Sequence, residues 1–397
     1  MKKWLVVGAS SLFLAGTVLT GCGSAANSNQ GAGKDQTASS GKPITINFYS
    51  VAGTDNYYKD ILIPMFEKAT HGKYHVNYGR GGWQEIVNKI KAQGNHVNID
   101  VVASGIDGVP AGAKQGVWEQ LIPKYSKEVR YDEMTDTAKA YVKEFDGYGA
   151  PVFTSLGGPV IIYNSDKVKN PPTTYAALKT WIEAHPNKFE YANIQSSGPG
   201  RGFYFGLIQS MGENMNNPNN LSKTYKYLSD INKYVNAYPS QTGDTLKALL
   251  DGTVDIIPHL PGWFASLYTE GQIPPNIKIA TLKDAKQILD AQFYSIPKNL
   301  SPERKKAALA FIHFAESKEA NAQIYSVFYM PSNKNASIDL LQPKEKETYM
   351  NGLKVMPAEF KNGNQIITPA NNWTLFPQSD VLLKHYDLWQ QKIQAKK

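Results

Sequence analysis

The residues best equipped for chemistry lie in Gln195-Ser196-Ser197-Gly198-Pro199-Gly200-Arg201-Gly202, just ahead of an apolar helical run from Phe203 to about Met211. Two hydroxyls and several unhindered N–H groups at a helix start meet the positive end of the helix dipole, which favours an anion. Arg201 adds a planar fork that fits a carboxylate, phosphate or phosphonate. The alternative is a helix-capping loop whose arginine pairs with a protein carboxylate. A dinucleotide fingerprint is excluded, because Phe203 occupies the place of a third glycine. Trp83 follows a glycine turn and Trp263 follows Pro261-Gly262. Either ring suits stacking on a sugar, a heterocycle or a cation, or plain core packing.

The chain shows little that would do catalysis. HExxH, GxSxG, EF-hand and P-loop patterns are all missing from the sequence. Ser295-Ile296-Pro297-Lys298 has the SxxK spacing, but its proline and strand setting spoil the helical geometry that motif needs. His71 and His75 straddle Gly72 and a strand pattern, so no shared helical face presents them to a metal. The expectation is a protein that is not an enzyme, with no catalytic residues, no metal and no cofactor.

The elements that must position these residues alternate between strand and helix. Ile44–Ser50, Tyr74–Tyr78 and Ile99–Ala103 read as strands, with helices over Tyr57–Ala69 and Trp83–Gln93 between them. That order gives an open α/β sheet, whose ligands bind at the carboxyl ends of the strands. Ser50–Asn56, Gly79–Trp83 and Ser104–Gly108 then share one rim. Ser50, Trp83, Ser104 and Gly105 are its candidate contacts.

The stretch Gly147–Asn164 reads as a crossing to a second lobe, with strands at Val152–Phe153 and Val160–Tyr163 around the flexible Ser155-Leu156-Gly157-Gly158-Pro159. Ala291–Ile296, closed by Pro297, reads as the strand that returns. Alternation allows only one of Phe293 and Tyr294 to face a cleft beside these strands, and Tyr294 is taken as the contact. Between the crossings the pattern predicts helices over Tyr175–Ala184, Leu221–Asn232 and Thr245–Leu250, and strands over Phe189–Ile194, Val254–Pro258 and Ile277–Thr281. Ser301-Pro302 opens a helix running to about Glu316, and Tyr386–Lys396 reads as a final helix.

A length of 397 residues suits two domains, and 42% hydrophobic with 19% charged residues suits a folded body with a sizeable core. The net charge of +8 is spread without a basic run, which argues against nucleic-acid binding. Lys2-Lys3 followed by the apolar Trp4–Val18 is a targeting segment. It leads into Leu19-Thr20-Gly21-Cys22, which looks like a lipobox, and Cys22 is the only cysteine. Residues 23–43 carry no large apolar side chain and read as a tether of about 25 Å span. The expected address is the extracytoplasmic face of the cell membrane, reached through lipid on Cys22.

Taken together, the lipobox and tether, the opening Ile44–Ala69, Ile99–Gly105, Gly158-Pro159-Val160-Ile161-Ile162-Tyr163-Asn164, Leu249–Asp255 and Tyr294–Lys298 resemble the extracellular solute-binding proteins of ABC importers. The nearer likeness is to the type II branch that includes ferric-ion, polyamine, thiamine and phosphonate binders, and it covers nearly the whole chain. The resemblance implies a two-lobed type II periplasmic-binding-protein-like α/β clamp with two crossing hinge strands. It implies capture of a small-molecule solute in the cleft and delivery to an ABC permease and its ATPase. Lobe closure would supply the affinity, and a clamp that must move is expected to be a monomer.

The expected division is a signal peptide at 1–21, a lipidated cysteine and tether at 22–43, a first lobe at 44–150 and 297–335, and a second lobe at 151–296. A C-terminal helical segment at 336–397 would pack on the second lobe or across the hinge. The candidate ligand contacts are Ser50, Trp83, Ser104, Gly105, Ser196, Ser197, Gly198, Arg201, Trp263 and Tyr294. Arg201 points to a solute with an anionic group, whereas the rim aromatics point to a thiamine-like ring, a polyamine or a sugar. Iron binders of this family use adjacent tyrosines in the second lobe near the return strand. The pair here, Tyr57-Tyr58, falls in the first lobe and disfavours ferric iron. A secreted hydrolase is the alternative of a different class.

Overall fold

A computed structural model describes residues 42–51, 54–368 and 372–397; the lipobox, Cys22 and the tether up to residue 41 lie outside them. The first lobe is built on parallel strands β1 (Ile44–Ser50), β2 (Tyr74–Arg80) and β3 (Val101–Gly105), with β1 between the other two. Ile46, Phe48, Val101 and Ala103 are buried, as befits strands covered by helices on both faces. A π-type turn, Tyr57–Leu62, runs into α1 (Ile63–Ala69), and α2 (Trp83–Gln93) follows β2 with Ile86, Val87 and Ile90 inward. Short α3 (Gly108–Lys114) follows β3, and α4 (Asp136–Glu144), capped by Thr135, leads to the crossing.

The crossing itself is β4 (Ala150–Leu156), buried throughout, then a Gly157–Pro159 turn and β5 (Val160–Asn164). The second lobe carries α5 (Tyr175–Ala184), α6 (Gly198–Ser210), α7 (Ser222–Asn232), α8 (Thr242–Leu250), β6 (Ile256–His259), α9 (Pro261–Thr269) and β7 (Ile277–Thr281). Its sheet has the order β6-β5-β7, both pairs antiparallel. The return strand β8 (Gln287–Ser295) enters the large sheet between β3 and β4, antiparallel to each. The two crossing strands are therefore paired side by side, Ser155 opposite Asp290 and Leu156 opposite Leu289.

After β8 come α10 (Pro302–Ala315), α11 (Lys318–Ala322), β9 (Met330–Pro331), which pairs with β4, and α12 (Pro343–Leu353). A small hairpin, β10 (Lys361–Asn362) with β11 (Gln365–Ile366), precedes β12 (Trp373–Leu375), which runs parallel to the start of β8. The last helix, α13 (Ser379–Lys392), buries Trp389 with its Nε1 donating to the Tyr191 hydroxyl at 3.1 Å. The C-terminal segment thus packs on second-lobe helices and also adds a strand at the hinge.

Several expectations need correction: the final helix starts at Ser379 rather than Tyr386 and ends at Lys392, and α8 starts at Thr242 rather than Thr245. Phe189–Ile194 is not a strand; only Phe189 makes bridges, to Val235 and Ile256. The helix expected from Phe203 begins at Gly198, because the Ser197 hydroxyl accepts the Gly200 N–H at 3.1 Å and Pro199 occupies the first turn.

Candidate functional site

The glycines around the crossing serve packing between backbones. A side chain on Gly202 would sit 1.8 Å from the Gly157 carbonyl oxygen, so α6 is seated directly on the turn between β4 and β5. Gly158 has φ +111, open to glycine but strained for other residues, and lies against Gly202. This close approach fixes where the first turn of α6 stands relative to the hinge, and Arg201 with it.

Arg201 is 8% exposed and already engaged. Its Nη1 lies 3.4 Å from Asp107 Oδ2, and its other nitrogens donate to the carbonyls of Ile194 (3.5 Å) and Gln195 (3.4 Å). Its guanidinium lies 5.7 Å from each of the Phe376 and Tyr386 rings. Asp107 precedes α3 in the first lobe, so this ion pair spans from lobe to lobe, and the Tyr386 hydroxyl donates to its other oxygen at 3.4 Å. Burial works to lower the Arg201 pKa, but Tyr386, Asp107, Asp290 and Tyr141 outweigh it and hold the guanidinium charged. Nearby, Lys114 at the end of α3 reaches Asp380 of α13 at 2.8 Å.

Asp290 on β8 stands by the turn between β4 and β5, its Cβ 3.6 Å from where a side chain on Gly157 would begin. It is the one partly exposed position in a strand otherwise buried throughout. Burial raises its pKa, with Arg201 opposing, and its carboxylate accepts the Ala291 N–H at 2.8 Å. Among the described residues it makes no ion pair. Gln292, two residues on and thus on the same strand face, accepts from the Tyr58 hydroxyl (2.6 Å) and the Thr54 hydroxyl (3.3 Å), and its own amide nitrogen has no partner among the described residues. Opposite it on β4 stands Phe153, whose ring stacks on Tyr329 at 4.6 Å. Ser155, two residues on from Phe153 and on the same strand face, stands opposite Asp290; burial, with the Asp290 charge adding to it, pushes the Tyr329 phenol up to about 12.

A family model described as "Bacterial extracellular solute-binding protein" matches residues 62–376. The chain belongs to that family. Solved structures of similar fold agree. An ABC transporter protein from Clostridium perfringens has a TM-score of 0.66 at 16% identity, covering 88% of this chain and 99% of that one. The spermidine/putrescine ABC transporter substrate-binding protein PotD from Streptococcus pneumoniae has a TM-score of 0.65 at 17% identity, covering 89% and 100%. The periplasmic binding protein AfuA from Actinobacillus pleuropneumoniae, solved with fructose-6-phosphate, has a TM-score of 0.59 at 15% identity, covering 88% and 98%. No curated protein sequence matches the chain. The fold is the two-lobed type II periplasmic-binding-protein architecture.

In this solute-binding protein the residues expected from the sequence fall into separate groups. Trp83, Ser104 and the backbone of Gly108 meet on the first-lobe rim, where a side chain on Gly108 would touch both of the others. Ser104 is buried with its hydroxyl unpaired among the described residues, and Gly105 pairs with Gln292 across β3 and β8. Ser50, at the end of β1, is buried. On the second lobe the Ser197 and Thr242 hydroxyls bond at 2.7 Å, tying the starts of α6 and α8 together, while exposed Ser196 donates to the Ser240 carbonyl. Gly198 is the first residue of α6, and half-buried Trp263 leans on the His259 ring at 5.0 Å. Tyr294 stands apart from all of these, enclosed among Phe48, Tyr58 and Phe311 in the first-lobe core. Phe293 is equally enclosed, against Tyr141 and Phe145. Tyr57 and Tyr58 are fully buried there too.

Sequence reasoning missed Asp107, Asp290, Gln292 and the C-terminal rings. The legible signal was the pair of polar residues, Asp290 and Gln292, two apart in an otherwise apolar strand. Two open surface depressions, one beside Thr173, Lys283 and Pro357 and the other beside Tyr268, Asn351 and Lys354, lie away from this cluster.

Proposed function

We propose that this protein captures a small charged, polar solute between its lobes, at Asp107, Arg201 and Asp290, and delivers it to an ABC permease. The observation that carries the reading is the lobe-to-lobe contact of Arg201 with Asp107 beside the crossing strands. A solute that touches both lobes favours the closed state by its differential contacts and needs no chemistry from the protein. The same reading takes the protein as a monomeric, lipid-anchored body without enzymatic turnover, held by Cys22 on the outer face of the cell membrane. Among the described residues no helix is long and apolar enough to cross a membrane.

The sequence pointed to an anionic group, and Arg201 supports it. A second reading, a cationic solute such as a polyamine or a thiamine-like ring, has its own observation: Asp290, without an ion pair among the described residues, shares a sheet face with Phe153, whose ring stacks on Tyr329. Thermal unfolding of the full-length chain carrying Cys22→Ala, against organophosphonates, phosphate esters, thiamine, polyamines and sugars, tests both. A ligand at 100 times its dissociation constant stabilises by about 2.7 kcal/mol. Asp290→Asn is expected to abolish the shift given by a cation, and Arg201→Gln that given by an anion. Hydrolysis of a member of the panel without stabilisation would sink the capture reading.

A further inference from the structure

Going beyond solute capture, we infer that the C-terminal helix α13 is a strap between the lobes: it is anchored in the second lobe and latched by charge to α3 of the first, and this latch sets how readily the lobes part when no solute is bound.

The two sides of α13 are held by different forces. Toward the second lobe, Trp389 lies against the Tyr191 and Tyr238 rings at 6.0 and 5.3 Å, and the buried His385 ring lies against Phe205 at 4.8 Å. Asn232 Nδ2 donates to the Ile393 carbonyl at 3.4 Å, and Lys392 Nζ stands 4.3 Å from the Tyr225 ring. Withdrawing such rings from their packing costs several times what an exposed ion pair contributes. When the lobes part, α13 therefore stays with the second.

Toward the first lobe the contacts are polar. Gln378 Nε2, just before α13, donates to the Glu144 carbonyl at the end of α4 at 3.5 Å. Lys114 Nζ lies 2.9 and 2.8 Å from the two Asp380 oxygens, and the Tyr386 hydroxyl donates to Asp107 at 3.4 Å. The Lys114 and Asp380 side chains are 69% and 68% exposed, so water replaces each partner on opening. The spacing makes these contacts one seam. Asp107 and Lys114 stand seven residues apart along α3, about 10 Å, and Asp380 and Tyr386 six apart along α13, about 9 Å. Pairing Asp107 with Tyr386 and Lys114 with Asp380 sets the two helices antiparallel with matching spans. Arg201 of α6 reaches the same Asp107, so the seam has its buried end by the hinge turn and its exposed end at Lys114. An exposed pair changes an equilibrium constant by a factor of about five at most. That is enough to bias two arrangements of the lobes and little enough to release.

The test needs no solute. The full-length Cys22→Ala chain carries Glu85→Cys and Lys247→Cys for fluorophores on α2 and α8, both exposed and one on each lobe. Energy-transfer distributions and small-angle scattering then read the open population. Lys114→Glu and Asp380→Lys should each raise the open-to-closed ratio about fivefold, and the double exchange should return it to its original value. Raising salt from about 0.05 to about 1 M should open the original chain and close the single variants, because it screens attraction in one and repulsion in the others. Hydrogen exchange should find α13 equally protected in every variant. Distributions alike in all four chains and at both salts would show that the seam does not hold the lobes, and the inference fails. It fails equally if α13 loses its protection in the single variants, since the helix then leaves the second lobe instead of riding with it. Either failure leaves solute capture standing, and a solute panel without a binder leaves the strap standing.

Discussion

The lobes differ in the ionisable groups they bury: the first holds Glu316, whereas the second holds two histidines beside a carboxyl of its own, Glu190, which Asn236 bonds. In the first lobe Glu316, 1% exposed, accepts the Ser332 hydroxyl at 2.6 Å and has no ion pair among the described residues. Burial holds its carboxyl well above the ordinary range, and Ser332 and Arg130 only partly offset that. In the second lobe His259, and His385 from the C-terminal helix packed on it, are buried and neutral, both pushed down to about 4 by burial. The His385 ring is held between the Tyr204 hydroxyl (3.0 Å) and the Met215 carbonyl (2.7 Å). The same desolvation thus acts with opposite sign, because it opposes the charged form of an acid and of a base alike. What this teaches is that the buried histidines and the buried Glu316 should weaken the fold in opposite directions of pH.

The largest expected effect is on the acid side. A histidine unfolded titrates near 6.5, so its stabilising contribution is complete above that value and is lost as pH falls toward the folded value of about 4. The loss is about 3 kcal/mol for each of His259 and His385. Denaturant melts between pH 8 and 4 should show this slope, and His259→Gln with His385→Gln should remove it; an unchanged slope would break the comparison. On the other side, Glu316 ionises in the unfolded chain first, so stability falls as pH climbs from the ordinary glutamate range toward the raised folded value. The slope is up to about 1.4 kcal/mol per pH unit. Glu316→Gln should flatten it, and a variant that merely lowers stability evenly at every pH would assign Glu316 no such role.

The smallest effect separates the two aromatic interiors. The Tyr204 hydroxyl is bonded to His385 and Tyr225, whereas the Tyr57 hydroxyl is buried without a partner among the described residues. Tyr204→Phe should therefore cost about 1 kcal/mol and Tyr57→Phe nothing, or give a slight gain. Equal losses at the two positions would erase the distinction between the lobes.

Much of the fold was legible. The helices Trp83–Gln93 and Tyr175–Ala184 and the strand Ile277–Thr281 have the bounds their periodicity predicts, because apolar spacing at 3.6 or 2 residues answers directly to one buried face. The start of α6 was misread for a specific reason. Glycine lowers helix propensity, so Gly198–Gly202 read as loop, although Ser197 with Pro199 is the same cap chemistry recognised at Ser301-Pro302. Phe189–Ile194 has strand composition, yet Phe189 meets its neighbours only at isolated bridges, and pairing is a matter of neighbours rather than composition.

The candidate site was legible by type and obscure by partner. Arg201 was evident as the charged residue at a helix start; that its fork would meet Asp107 could not be read, since the two stand in different lobes. Asp290 and Gln292 betrayed themselves only as polar interruptions of an apolar strand. Gly157 and Gly158 read as a flexible stretch of the crossing and Gly202 as part of an anion-favouring helix start, whereas in the structure they let helix and hinge backbones touch.

The sequence by itself determined the alternation of strand and helix, the outward and return crossings, and hence the family's two-lobed architecture, because local periodicity and turn chemistry act over a few residues at a time. Only the tertiary structure decided which charges face one another. Asp107, Arg201 and Asp290 lie far apart along the chain and come together only when β8 inserts between β3 and β4 and α6 seats on the Gly157–Gly158 turn. Charge recognition depends on distances of a few ångström and on the burial that strengthens them, and such distances between remote segments are a property of the packed molecule.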